Sequence, residues 1–419
     1  MLYRCATGLG ICAVIVLGGV EMLQAREVPA SVSTPTEEKA DCSVKRDIPP
    51  QASVGQILCA EFLPRNSEAR LTKADYNYLI QYVSEDVNRQ KIAVTATLAV
   101  PQRAAAVPII AWAHGTVGAA PHCAPSLNGI RYSERRYVSL MRDTLNRWVE
   151  RGYAVVQSDY QGLGIAPQEQ KASDLHPYLI GEVAAKNVID AVRATRRLSP
   201  HRYTQQWLVM GHSQGGQTSV YVAEMAQDYA PEYDLVGAVA IAPAAYLSEQ
   251  TEEALANPES QVSAFGALMM KGVEVVDPTV DIPPLLSEEG KKRYALVDER
   301  CVSGLRQADG WSGNLGDLID ADVEDFRPMI DAMIRYQDPE NREPNVPLIV
   351  IQAPNDQATL ERYSRRMVDK FRAEGRAVDW QLIEGLEDVY PHTVHQLTVP
   401  ESFDEAFTWV SQRLPPPRP

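Results

Sequence analysis

The strongest constraint on this chain lies between residues 107 and 243, where short, continuously apolar runs alternate with segments of helical periodicity. "VPIIAWAHG" is an apolar run ending in glycine, and "SLMRDTLNRWVERG" follows with apolar residues at helical spacing and a Gly stop. "YAVVQSDYQGLG" is a second apolar run, and "GEVAAKNVIDAVRATRRL" is a long amphipathic segment. "QWLVMGHSQGG", "QTSVYVAEMAQDY" and "LVGAVAIAPA" repeat the order. A strand apolar at every position is buried on both faces, and helices alternating with such strands supply the cover. The pattern predicts an α/β fold with a mostly parallel central sheet and helices on both faces.

The rhythm breaks near Leu247 and resumes at "VPLIVIQAPND". A helix ("ERYSRRMVDKFRAEG"), a strand ("VDWQLIEG") and a last helix ("ESFDEAFTWVSQRL") follow it. Between the two parts the chain has helical pieces, Pro-rich joints and acidic stretches, with no strong buried strand. One core is therefore predicted, at 66–247 and 346–419, interrupted by an inserted, mainly helical cap or lid at 248–345. Upstream, "YNYLIQYVS" and "KIAVTATLAVP" have strand composition, so regular structure is expected from about Tyr76. Residues 26–65 read as an irregular arm, because Glu27 to Pro50 is rich in Pro, Ser, Thr and charge.

The first 25 residues differ from the rest. Arg4, an apolar stretch from Leu9 to Val20 and a small residue at Ala25 predict a signal peptide at 1–25, and a secreted or periplasmic protein. The apolar run is short for a membrane span. Without that segment four cysteines remain, Cys42, Cys59, Cys123 and Cys301, and export favours two disulfides among three connectivities. No CxxC motif or His/Cys cluster has metal-ligand spacing. The net charge of −15, with no cluster of Lys or Arg, argues against a nucleic-acid partner.

Gly211-x-Ser213-x-Gly215 stands between an apolar strand and a helix. A tight turn there forces a serine into a strained backbone with its hydroxyl projecting beyond the strand ends, and the flanking glycines remove side chains that would clash. A hydroxyl nucleophile needs a base, and the base needs an orienting carboxylate, here expected in the chain order Ser, Asp, His. Asp356 closes "VIQAPND" just after the resumed strand. Only His392 and His395 lie downstream, in "YPHTVHQL" between the last strand and the last helix. His395 is favoured because it stands nearer that helix, with His392 as the alternative. The oxyanion of an acyl transfer needs N–H donors; the candidates are Gln214, directly after the serine, and the Gly115–Thr116 loop. His114 is expected to be buried and to shape that loop. Asp159, Tyr160, Gly162 and Gly164 form a turn near the site mouth, and His176 is read as structural. "AFGALMMKGV" either lines an acyl pocket or packs the cap.

With these residues in view, "AWAHGT", "CAPS", "DYQGLG", "HPYL", "VIDAVRAT", "GHSQGGQ" and "YAPEYDLVGAVAIAPA" resemble the secretory lipase family, the yeast-type lipase A-like branch of the α/β-hydrolase superfamily. The resemblance covers about Pro108 to Pro243 and resumes, more loosely, from Pro347 to Leu414. It implies an α/β-hydrolase fold, Ser213 as nucleophile, Asp356 as the acid and a histidine of the last loop as base. In the family this histidine precedes a tryptophan of the last helix by about the distance from His395 to Trp409. The resemblance also implies a disulfide between the "CAPS" cysteine and the cap, matching Cys123–Cys301 and leaving Cys42–Cys59. Two departures stand out: Ala353 replaces a glycine before the acid, and the loop before the base is longer.

The expectation is an exported serine carboxylester hydrolase, an esterase or lipase, working through an acyl-enzyme without a cofactor. Its substrate would be a small-molecule or lipid ester, with transient contact to a lipid interface; the sequence does not speak to oligomeric state. The alternatives are an acyltransferase or peptidase using the same triad, and a non-catalytic binding module on a hydrolase fold.

Overall fold

The computed structural model describes residues 41–103, 105–127, 134–165, 175–257, 259–386, 389 and 391–417, so the expected signal segment 1–25 and the start of the arm lie outside the described residues. Its strands are β1 (Ile57–Phe62), β2 (Tyr76–Glu85), β3 (Lys91–Val100), β4 (Val107–Ala113), β5 (Ala154–Ser158), β6 (Tyr203–His212), β7 (Asp234–Ile241), β8 (Leu348–Gln352) and β9 (Val378–Leu382). They form one sheet in the order β1-β2-β3-β5-β4-β6-β7-β8-β9. β1, β2, β3 and β5 pair antiparallel, and every pairing from β5 through β4 to β9 is parallel.

Connection length explains the change. Asp86 closes the short link between β2 and β3 by accepting from the amides of Asn88 and Gln90, both at 2.8 Å, and a short link makes neighbours antiparallel. The later strands are joined by helical crossovers and are therefore parallel. All residues of β4, β5 and β8 are buried, as their apolar runs require, and the polar ends Gln157-Ser158 of β5 and Gln352 of β8 are buried with them. Helices Gly181–Leu198, Gln214–Tyr229 and Glu361–Ala373 pack one face of the sheet. Helices Arg135–Glu150, Pro391–Glu401 and Phe403–Ser411 pack the other. Because β4 continues into β5 on one side and β6 lies on its other side, the crossovers diverge at the β4/β6 junction, where open α/β sheets form a crevice at the strand C-termini.

The arm needs correction. Residues 57–62, expected to be irregular, are β1, so the sheet begins before position 66. β1 is a six-residue edge strand with partial burial and an irregular register between Ile57 and Cys59, and such a strand leaves little period-2 signal. Cys59 on β1 is joined to Cys42, which anchors the preceding segment to the sheet edge.

Between β7 and β8 the chain is mainly helical. Serine caps begin two of its helices: Ser263 accepts from the Phe265 amide, and Ser287 from Gly290 at 2.9 Å. Its apolar residues form a third cluster that includes Ala119, Tyr178 to Ile180 and Ala244. Those residues follow β4, precede the helix Gly181–Leu198 and follow β7, so the insertion covers the C-terminal edge of the sheet. The Cys123–Cys301 disulfide ties it to the segment after β4.

Candidate active site

Ser213 lies between β6 and the helix Gln214–Tyr229 with φ 58° and ψ −117°, a conformation costly for any residue with a Cβ. Its surroundings hold it there: its amide donates to the Ile241 carbonyl at 2.9 Å, and its own carbonyl accepts from Gln217 at 3.0 Å. The flanking glycines are required by contact. A Cβ on Gly211 would stand 2.2 Å from the Gly215 carbonyl oxygen, and one on Gly215 would stand 1.8 Å from that of Ala113. The turn is thus pressed against the end of β4.

His395 Nε2 is 2.9 Å from Ser213 Oγ, and His395 Nδ1 is 2.7 Å from Asp356 Oδ2. The three residues come from positions 213, 356 and 395 and meet at the C-terminal ends of β6 and β8. His395 does not sit in a loop, as its segment suggested, but inside the helix Pro391–Glu401. Prolines at 391 and 400 and weak amphipathic contrast hide that helix from a periodicity search. The side chain of His392 lies outside the described residues.

Asp356 is buried and accepts from the amides of Ala358 at 2.8 Å and Thr359 at 3.1 Å, and from the Thr359 hydroxyl at 3.0 Å. Burial pushes its carboxyl up, but the charge and hydrogen bond of His395, with the two amides, outweigh this and hold it below the usual carboxylate value. With Nδ1 committed to this carboxylate, the neutral imidazole presents an unprotonated Nε2 to the serine hydroxyl.

The oxyanion candidates separate. Gln214 opens a helix at the site, and its side chain turns away to His176, Nε2 to Nε2 at 2.7 Å. The Gly115 amide is already used: it donates to the Tyr137 hydroxyl at 2.6 Å, so Gly115 is removed from the set of free donors. Thr116 remains, its hydroxyl 2.6 Å from that of Tyr178.

His114 is buried, with Nδ1 2.8 Å from the Gly115 carbonyl and its ring centroid 4.3 Å from that of Tyr160. Burial lowers its pKa to about 4, so it is a neutral loop support. His176 is also buried and neutral, its pKa lowered to about 3 by desolvation; Nδ1 donates to the Gln161 carbonyl at 2.9 Å, and Nε2 accepts from Gln214. Asp159 is fixed by Thr95 at 2.7 Å and the Ser126 amide at 3.0 Å, inside the turn that carries Tyr160, Gly162 and Gly164 at positive φ.

A cavity of about 520 Å³ opens on Ser213 and His395 and runs under the insertion, lined by Leu247, Phe265, Met269, Phe326, Met329 and Met333 among others. From "AFGALMMKGV", Met269 and Met270 line this cavity while Val273 packs the cluster behind it. Among the described residues, the one grouping with metal-ligand chemistry is His122, Cys123 and Cys301, and its two sulfurs are joined in a disulfide. Tyr137, Thr359 and His212, which make close contacts here, were not singled out by sequence; Tyr137 and His212 find partners distant in the chain, whereas Thr359 meets Asp356 three residues before it.

The family model for secretory lipases matches residues 138–416. Lipase A of Moesziomyces aphidis is 24% identical over 189 residues, 44% of this chain and 38% of that protein, so the match spans well under half of that relative. The secreted triacylglycerol lipase LIP4 of Malassezia globosa is 22% identical over 354 residues, 80% of this chain and 71% of that protein. Among solved structures, the rice cell wall degrading esterase LipA of Xanthomonas oryzae superposes with a TM-score of 0.68 at 18% identity, covering 87% of this chain and 99% of that one. Candida antarctica lipase A in its closed state gives 0.68 at 17% identity, covering 88% and 84%. These likenesses establish the fold as that of the α/β-hydrolases.

Proposed function

The chain belongs to the secretory lipase family, and from that premise we propose that it is a carboxylester hydrolase in which Ser213 is the nucleophile, His395 the base and Asp356 its orienting acid. The observation that carries this is the unbroken hydrogen-bonded series from Ser213 Oγ through His395 to Asp356. Ser213 Oγ attacks the ester carbonyl while its proton passes to His395 Nε2. The backbone amides of Gln214 and Thr116 receive the oxyanion, and the N-terminus of the helix Gln214–Tyr229 favours negative charge there. Asp356 holds the imidazole in the right tautomer and stabilises the imidazolium. The imidazolium then protonates the leaving alcohol, an acyl-enzyme remains, and water activated by His395 releases the acid.

The acyl group occupies the methionine- and phenylalanine-lined cavity, which favours a lipid or other apolar ester. Two disulfides, the family and the expected signal segment support an exported protein. Labelling with a fluorophosphonate tests the nucleophile: one covalent adduct on Ser213 is expected, abolished in Ser213→Ala. No adduct, or equal labelling of the variant, removes the proposal. Turnover of p-nitrophenyl esters, with hydrolysis dominating over transfer to added alcohols and amines, separates it from an acyltransferase.

A further inference from the structure

A further buried histidine, to which the proposed mechanism gives no part, lies with its ring centroid 4.5 Å from that of His395. It is His212, the residue before Ser213. Its Nε2 is 2.9 Å from the backbone carbonyl oxygen of His395, and its Nδ1 is 3.2 Å from the Tyr137 hydroxyl. A carbonyl only accepts, so Nε2 carries the proton and Nδ1 is the acceptor. Tyr137 already receives the Gly115 amide at 2.6 Å, which leaves its own proton to donate to Nδ1. The result is a directional series: Gly115 N–H to Tyr137 Oη, Tyr137 O–H to His212 Nδ1, His212 Nε2–H to His395 O.

Each link belongs to a different part of the chain. Gly115 lies after β4, next to the proposed oxyanion donor Thr116. Tyr137 is on the helix Arg135–Glu150, His212 ends β6, and His395 is on the helix Pro391–Glu401. Resting on the triad proposed above, we propose that His212 is a positioning residue, which with Tyr137 fixes the oxyanion loop and the base relative to the nucleophile beside it.

Charge and packing favour the role. Burial holds the His212 imidazole far below ordinary histidine basicity, and the neighbouring His395 charge acts in the same direction. Burial also pushes the Tyr137 hydroxyl up, so it keeps the proton it donates. A neutral His212 can therefore grip the backbone of His395 without placing a second positive charge beside the imidazolium that forms in turnover. Hydrogen bonds aligned head to tail in a dry interior polarise one another, which stiffens the series. The space is tight as well: a Cβ on Gly115 would stand 2.6 Å from the Tyr137 hydroxyl and 3.0 Å from His212 Nδ1.

The test compares kcat, KM and fluorophosphonate labelling of wild type with Tyr137→Phe and His212→Ala, →Gln and →Asn. Tyr137→Phe keeps the ring packing and removes the shared hydroxyl; kcat is expected to fall about ten- to a hundredfold with KM nearly unchanged, the cost of a small misplacement of reacting groups. Gln reaches about as far as Nε2 and can still donate to the His395 carbonyl; Asn reaches about as far as Nδ1 and can still meet Tyr137. Each is expected to recover part of the kcat lost in His212→Ala. Tyr137→Phe with kcat within about twofold of wild type, on the transition-state accounting of mutant rates, would overturn the positioning role. So would Gln and Asn variants no better than Ala, because the ring would then merely fill space. If wild type labels at Ser213 and the variants turn over normally, only this inference falls; a wild type that takes no label ends the triad proposal and this inference together.

Discussion

Asp356 Oδ2 and His395 Nδ1 stand 2.7 Å apart, and the carboxylate is closed off from water while the imidazole remains partly accessible toward the cavity. The asymmetry suits an orienting acid that never exchanges its partner and a base that must reach substrate. Asp356→Asn keeps the size of the side chain, and its amide oxygen can still accept from Ala358 and Thr359. The amide NH₂, however, would face His395 Nδ1 and favour the wrong tautomer. The fold should survive, and kcat on a p-nitrophenyl ester should fall by about 10³–10⁴. A loss of less than about tenfold would show that the carboxylate does not set the tautomer.

Cys123–Cys301 closes 178 residues of chain and ties the segment after β4 to the insertion. A loop of that length loses much denatured-state entropy when it is cross-linked. The double variant Cys123→Ala/Cys301→Ala should lose about 2–5 kcal/mol in denaturant unfolding. Cleavage by a protease should begin within the insertion, whose attachment to the segment carrying Thr116 is then weakened. Unchanged stability and an unchanged cleavage pattern would mean that packing alone holds the insertion in place.

How much of this was legible in sequence followed from how locally each feature is determined. β4, β5 and β8 are buried on both faces, so their apolar runs announced them. Ser213 was legible because sterics at its turn restrict both glycines, and that restriction is written within five residues. β1 was not, because an edge strand takes its order from β2 and needs little periodicity of its own. Nor was the helix around His395, interrupted by proline, and three-residue spacing gave no way to tell which ring would point at Ser213. The use of the Gly115 amide by Tyr137 depends on a helix 22 residues away, and the grip of His212 on His395 spans 183. Such pairings exist only after the sheet has assembled.

Met329 is buried within the insertion and lines the cavity that opens on Ser213. Met329→Trp replaces a flexible side chain with a larger, rigid one and should shorten the space for an acyl chain. The ratio of kcat/KM for a dodecanoyl ester to that for an acetyl ester should fall about ten- to a hundredfold, because each poorly housed methylene costs binding in the transition state. Retained acetyl ester turnover would show that the catalytic groups are intact. An unaltered chain-length profile in an active variant would place the acyl chain elsewhere.

Glu340 and Asp338 hold the start of the insertion from its far end. Glu340 Oε2 accepts from the Tyr246 amide at 3.0 Å, and Asp338 Oδ1 accepts from Leu247 at 2.8 Å, at the first turn of the helix Leu247–Leu255. Burial pushes the Glu340 carboxyl from 4.5 up to about 7, with the nearby Asp338 charge acting in the same direction and the Tyr246 amide opposing. A folded-state pKa raised above the unfolded one means that the native protein holds a proton which the unfolded chain has released. Its stabilising effect is full below 4.5 and is lost as pH rises through about 7. Glu340→Gln mimics the protonated form at every pH. Relative to wild type it should therefore gain stability between pH 5 and pH 8, by about 1–3 °C in Tm at the upper end. Asp159 and Asp190, each pushed up to about 6 by burial, titrate alike in both proteins and cancel in the difference. Melting both proteins across that range checks the sign: a constant difference, or one that shrinks with rising pH, would mean that Glu340 is already ionised where it sits.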